Sequence, residues 1–184
     1  MNRLLFFGLV LSIFFSCAEK KEENKEEAET AEKEVIAQED NTTADVKFPI
    51  YDFEDFEPML HKKDDKTYII NFWATWCKPC IEEMPYFERV YAEQKDNNVE
   101  VIFVSLDMPN MWKSRLEPYV ENKEIQSQVV ILDDPKQNEW IPKVSEGWGG
   151  GIPATLIYNK HNRTFYERGF TYEELNEELN KFIN

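Results

Sequence analysis

Thr67 to Trp73 reads TYIINFW, seven residues rich in β-branched and aromatic side chains and apolar almost throughout. Such a run, without polar alternation, suits a strand buried on both faces, as in parallel sheets covered by helices on either side. The next residues narrow the choice. Ala74-Thr75-Trp76-Cys77-Lys78-Pro79-Cys80 leads into a charged segment, Lys78 to about Gln94, where Ile81, Met84, Phe87, Val90 and Tyr91 recur at helical spacing. Two cysteines three apart therefore fall at a helix start, just past the carboxyl end of a central strand. Open α/β sheets place their sites there.

The remaining pattern agrees with that class. Lys47 to Tyr51 reads as a short strand, and Phe53, Phe56, Met59 and Leu60 as a helical face. Asp64-Asp65 marks a turn. Val99 to Leu106 and Val129 to Leu132 read as further buried strands, separated by a helix over Trp112 to Asn122. Pro135 to Val144 is ambiguous and suits a helical turn. Ala154 to Tyr158 and Thr164 to Phe170 bracket a hairpin turn at Asn159 to Asn162. The last helix opens at Thr171 with Glu174 three residues on, the spacing of a capping box. The expected fold is α/β: a central mixed sheet with flanking helices and an antiparallel hairpin edge.

The amino-terminal quarter differs in kind. One positive charge at Arg3 precedes Leu4 to Phe15, a nearly all-apolar run too short to span a bilayer, and small Ser16 comes next. This is the layout of a secretory signal, assigned to residues 1–16. Phe14-Phe15-Ser16-Cys17 resembles the cleavage and lipidation box of bacterial lipoproteins, with Phe14 where Leu is usual. That resemblance makes Cys17 the lipidated first residue of the mature chain and the membrane its anchor. Residues 17–45 form an acidic tether: 18–45 hold eleven carboxylates, four lysines and no aromatic residue, too little apolar surface to offset chain entropy. Lys21-Glu22-Glu23 resembles a surface-export signal, but short acidic-basic runs are abundant in any solvated linker, and that is the preferred reading.

Residues 46–184 are the right size for one domain. The chain carries −15 overall; setting aside +1 from Arg3 and −7 from the tether leaves −9 on this domain, which argues against nucleic acid as a partner. With Cys17 lipidated, two cysteines remain, Cys77 and Cys80. Exported proteins stapled by disulfides usually carry more, spread further apart. A single CxxC points to chemistry instead.

Unpaired backbone N–H groups and the helix dipole at Cys77 favour a thiolate, and Lys78 adds positive potential. Cys80, one turn in, is near enough for a disulfide and further from solvent. Pro79 stiffens the link without costing a helical hydrogen bond. Half a zinc site is the alternative, but the two histidines, His61 and His161, lie far apart and lack paired spacing. Ile81, where haem attachment requires His, excludes that motif.

FWATWCKPC, followed much later by GGIPATLIY, resembles the thioredoxin superfamily, most closely the exported, membrane-tethered thiol-disulfide oxidoreductases of the TlpA/ResA-like branch. The resemblance implies a thioredoxin-like fold, Pro153 as a cis-proline facing the cysteines, and Ile152 as backbone partner of an extended substrate. It also implies Trp76 as the partly exposed tryptophan beside the site. Asn71 departs from cytoplasmic thioredoxins, which hold a buried aspartate there. Glu83, on the helix face of Cys80, could relay the resolving thiol's proton, as glutamate is found there in ResA-like proteins; it also suits an ordinary exposed position. Trp148, amid glycines 147 and 149–151, suits a cover for the disulfide, a substrate contact or a core aromatic.

The functional expectation is a reductant of disulfides in exported proteins, for example apocytochrome c. A Cys77–Cys80 dithiol would serve without other cofactor or metal, recharged by a membrane thiol electron donor. The expected location is the cell envelope, lipid-anchored and facing the periplasm, with surface exposure as a variant. The second reading is a non-catalytic lipoprotein binding a metal or a protein on the same fold.

Overall fold

The computed structural model describes residues 45–183. The signal segment, Cys17 and, but for Asp45, the tether lie outside the described residues. In chain order the elements are β1 (Ile50–Tyr51), α1 (Phe53–Phe56, continued by a 3-10 turn over Glu57–Leu60), β2 (Thr67–Trp73) and α2 (Lys78–Gln94). Then come β3 (Val99–Ser105), α3 (Pro109–Met111), a π turn over Trp112–Leu116, α4 (Glu117–Asn122) and β4 (Gln128–Leu132). The chain closes with α5 (Gln137–Val144), β5 (Ala154–Tyr158), β6 (Arg163–Tyr166) and α6 (Tyr172–Ile183).

The six strands form one sheet in the order β1-β4-β3-β2-β5-β6. The first four are mutually parallel; β5 pairs antiparallel with β2, and β6 pairs antiparallel with β5. All seven residues of β2 are buried, as a central strand between two covered faces requires. Alternation sorts them. Ile69 and Trp73 join Val101, Phe103, Val129, Ile131 and Ile157 on the face packed against α2 and α6. Tyr68, Ile70 and Phe72 join Ile102, Val104, Val130 and Leu156 on the face packed against α1 and α5. Each aliphatic or Phe side chain so buried contributes roughly 1.5–3 kcal/mol.

Local chemistry fixes the helix boundaries that matter for the site. Helix α2 starts at Lys78 because Cys77, in extended conformation, caps it: the Cys77 sulfur accepts from the Cys80 N–H at 3.3 Å. Helix α6 starts with the expected reciprocal box. Thr171 N–H donates to the Glu174 carboxylate at 2.9 Å, and Glu174 N–H donates to Thr171 Oγ1 at 3.3 Å. Its buried face is Leu175, Leu179 and Phe182.

Four expected elements come out differently. The strand placed over Lys47 to Tyr51 is confined to Ile50–Tyr51. The helix placed over Trp112 to Asn122 begins earlier, at Pro109, and contains a π turn in which Glu117 N–H reaches back five residues to Trp112 O. Pro118 explains this, since it cannot donate to the residue four before it and its ring crowds that carbonyl. The segment Pro135 to Val144 holds a genuine helix of eight residues, packed through Trp140 and Val144 despite Pro142. The strand placed over Thr164 to Phe170 ends at Tyr166, because Glu167 turns to the glycine loop and Phe170 turns inward.

Candidate active site

The carboxyl end of the parallel strands gathers the relevant residues into one row. The register pairs Trp73 with Ser105 and Ser105 with Ile131, and one step beyond the Phe72–Ala154 pair sets Pro153 opposite Trp73. From this edge the chain 74–77 leaves β2 and enters α2. Cys77 and Cys80 are joined by a disulfide with Cα atoms 5.3 Å apart. Cys77 is 5% exposed and Cys80 1%, so the capping cysteine is the more accessible. Trp76 beside it is 53% exposed. Lys78 is solvent-facing and lies 3.6 Å from Glu82, which offsets part of the positive potential expected of it.

Glu83 is not an exposed helix carboxylate. It is 2% exposed and sits on the same side of α2 as Cys80 and Phe87. Its Oε1 accepts from Asn71 Nδ2 at 3.0 Å, and its Oε2 accepts from Phe170 N–H at 2.8 Å. Asn71 also donates to Thr155 Oγ1 at 3.1 Å, its direct neighbour across the β2–β5 pairing. Burial pushes the Glu83 carboxyl up to about 7; the Phe170 and Asn71 hydrogen bonds and the Arg168 charge oppose that rise without cancelling it. A buried carboxyl that changes protonation near neutral pH can take a proton from a thiol and return it. The polar residue at position 71 thus holds the acid in place rather than serving as one.

The Ile152–Pro153 peptide bond is cis. Pro153 is buried and Ile152 half-buried, packed against the hydrophobic clusters of both sheet faces. Pro153 and Glu83 share a neighbour: a Cβ on Gly169 would stand 3.8 Å from Pro153 Cγ and 3.4 Å from Glu83 Oε2. The loop before the proline is held by Glu167, whose carboxylate accepts from Gly149 N–H at 2.9 Å and Gly151 N–H at 2.8 Å. A Cβ at Gly151 would lie 2.7 Å from that carboxylate, and Gly150 has φ of 89°, so close approach and a left-handed turn account for these glycines. Trp148 does not cover the disulfide. It is buried on the opposite face of the sheet against Phe72, Trp140 and Phe165, with its indole N–H donated to Gly151 O at 2.8 Å.

Asp107 escaped the sequence reading. It is 2% exposed, and both carboxylate oxygens accept from Thr75 N–H at 3.1 Å. Oδ1 also accepts from Thr75 Oγ1 at 2.6 Å and Oδ2 from Ser105 Oγ at 2.9 Å. Trp112 Nε1 closes the arrangement by donating to Asp107 O at 2.7 Å. The loop carrying Trp76 and Cys77 is therefore anchored to the end of β3 and to the π turn. The available signal was an aspartate two residues past a buried strand, on the edge where the site was expected. His61 and His161 are both exposed, and among the described residues no three of His, Cys, Asp and Glu are grouped to hold a metal ion.

Comparison with known proteins gives the family and the fold. The AhpC/TSA family profile matches residues 39–163. Thiol-disulfide oxidoreductase ResA of Halalkalibacterium halodurans is 30% identical over 140 residues, 75% of this chain and 74% of that protein. Among solved structures, a thioredoxin-family thiol:disulfide interchange protein from Chlorobium tepidum superposes with a TM-score of 0.55 at 19% identity, covering 65% of this chain and 81% of that one. StoA from Bacillus subtilis superposes with a TM-score of 0.50 at 22% identity, covering 63% and 83%. The two structures show the fold, which is thioredoxin-like. With the family match over residues 39–163 taking in β1 to β5, the cysteine pair and the proline loop, the chain belongs to the AhpC/TSA family and is a ResA-like thiol-disulfide oxidoreductase.

Proposed function

We propose that the protein works as a reductant of disulfides in exported proteins, with Cys77 as nucleophile, Cys80 as resolving thiol and Glu83 as the proton acceptor for Cys80. The observation that carries this reading is the buried Glu83, hydrogen-bonded between Asn71 and the Phe170 amide and titrating near neutrality on the Cys80 side of α2. Starting from the dithiol, the Cys77 thiolate attacks one sulfur of a substrate disulfide. A bond forms between Cys77 and substrate, and the first substrate thiolate leaves. Glu83 takes the proton from Cys80; the Cys80 thiolate attacks Cys77 Sγ and releases the second substrate thiolate. The substrate gains two electrons and the enzyme is left with the Cys77–Cys80 disulfide, the form seen in the structure. The pair carries the electrons itself and needs no further cofactor. An external membrane thiol donor must return it to the dithiol. Trp76, Ile152 and Pro153 flank the substrate chain in this scheme.

The signal segment and Cys17 support placement in the cell envelope, lipid-anchored on the periplasmic side, with 17–45 as tether and 46–184 as the working domain. No helix of the described residues is long and apolar enough to cross a membrane. Oxidised extracytoplasmic proteins such as apocytochrome c are the substrates this location offers. Insulin reduction with dithiothreitol tests the activity: turnover by the wild type and its loss in Cys77→Ser is expected, and equal rates for both would refute the assignment. Mass spectrometry of the membrane fraction of an expressing bacterium tests the anchor. A chain starting at an acylated Cys17 is expected, and a soluble mature chain cut elsewhere rules it out.

A further inference from the structure

Large hydrophobic side chains are left exposed at three places among the described residues: Trp76 at 53%, Tyr86 at 38% and Met108 at 58%. Trp76 and Met108 share one depression of about 330 Å³, which Asn110, Met111, Ser114 and Arg115 complete. Their proximity is built in. Thr75, next to Trp76, is tied through its N–H and hydroxyl to Asp107, next to Met108. The buried carboxylate fixes the two loop segments that carry these exposed apolar side chains, and a fixed backbone lowers the ordering cost of binding. Methionine suits the role because its flexible thioether adapts to different partners.

The charge at this surface is as specific as its apolar part. Arg115 is exposed and makes no ion pair among the described residues, whereas Lys78, two residues from Trp76, lies 3.6 Å from Glu82 and Lys113, two residues from Arg115, lies 3.7 Å from Glu117. A guanidinium with no ion-pair partner among the described residues, on a chain of net charge −15, offers a local site for a carboxylate that the molecule as a whole repels. The depression adjoins Cys77 through Trp76, its immediate neighbour. A polypeptide bonded covalently to Cys77 therefore runs beside it, and the occupant is the substrate's own chain.

We propose that Trp76, Met108 and Arg115 form a docking surface for the polypeptide flanking the reacting cysteine of the substrate. An apolar side chain lies between indole and thioether, and an adjacent carboxylate pairs with Arg115. This rests on the exchange reaction at Cys77 proposed above and adds a sequence preference to it.

The test uses the reduced protein and four peptides, each carrying one cysteine as a mixed disulfide with 2-nitro-5-thiobenzoate. The residue beside the cysteine is Leu or Ser, and the next is Glu or Lys. Release of the coloured thiol gives second-order rates. The wild type is expected to prefer Glu over Lys peptides by about threefold, the scale of an exposed ion pair, and the preference should shrink with added salt. Arg115→Gln should bring that ratio towards one and Arg115→Glu should invert it, while Met108→Ser should lower the Leu-to-Ser ratio. A Glu-to-Lys ratio that is the same in wild type and Arg115→Glu overturns the docking surface. Failure of the wild type to release thiol even from free 5,5′-dithiobis(2-nitrobenzoate) overturns the exchange reading itself, so the two failures are separable.

Discussion

Replacing Glu83 with Gln isolates the titration of one buried carboxyl, because the two side chains have nearly the same shape. Glu83 holds its proton up to about 7 in the folded protein, against 4.5 for an unperturbed glutamate. The folded state therefore binds the extra proton between those values and the unfolded state does not. Stability from this group is full below pH 4.5, falls as pH rises towards 7, and is constant above. At 1.36 kcal/mol per unit, the loss across that window is about 3 kcal/mol. Gln cannot ionise, so its stability should lack this slope. It can also be accommodated: its carbonyl accepts from the Phe170 amide, and Asn71 can rotate its own amide to accept from both the substituted side chain and the Thr155 hydroxyl. Urea denaturation of both oxidised proteins from pH 4.5 to 8.5 measures the effect. Relative to wild type, Glu83→Gln should gain about 3 kcal/mol between the ends of that range. Decay of a trapped mixed disulfide should meanwhile slow in the variant and lose its rise through pH 7. A stability difference that is constant with pH would refute the buried proton and, with it, the role of Glu83 in resolution.

Two further outcomes rest on the same geometry. Asp107→Ala removes the acceptor for Thr75 N–H, Thr75 Oγ1 and Ser105 Oγ, leaving buried donors unpaired, and should cost about 2–4 kcal/mol in chemical denaturation. A cost below about 0.5 kcal/mol would mean that the loop before Cys77 is held by other means. In the reduced protein, Cys77 should alkylate ahead of Cys80 at mildly acidic pH, because it caps α2 and is the less buried of the two. Peptide mapping that finds the label first on Cys80 would reverse their roles.

Much of the frame was legible because its elements carry strong periodic signals. The β2 run, the α2 face and the Thr171 capping box needed only local rules, and their bounds in the structure match the residues that predict them. The π turn was not legible, since helical spacing at Trp112 and Leu116 hides the widening that Pro118 imposes. At the site, the cysteine pair announced itself by spacing. Glu83 stayed ambiguous because its burial depends on Asn71 in β2, Thr155 in β5 and Phe170 before α6, which come together only once the sheet and its covering helices assemble. Asp107 was missed for the same reason: its role is a set of hydrogen bonds to Thr75, 32 residues distant, and aspartates after strands commonly serve turns alone. Trp148 shows the reverse, a residue whose glycine-rich surroundings suggest the site and whose ring belongs to the core behind it.

In the proposed exchange Cys77 attacks a substrate disulfide and Cys80 resolves the product. Reduced Cys80→Ser, mixed with a disulfide-linked peptide pair and analysed by intact mass and peptide mapping, tests it directly. One peptide should remain bonded to Cys77 and persist, while the wild type passes through the same adduct and ends as the Cys77–Cys80 disulfide with both peptides reduced. Absence of any adduct on Cys77, or an adduct that the wild type never clears, would contradict the account.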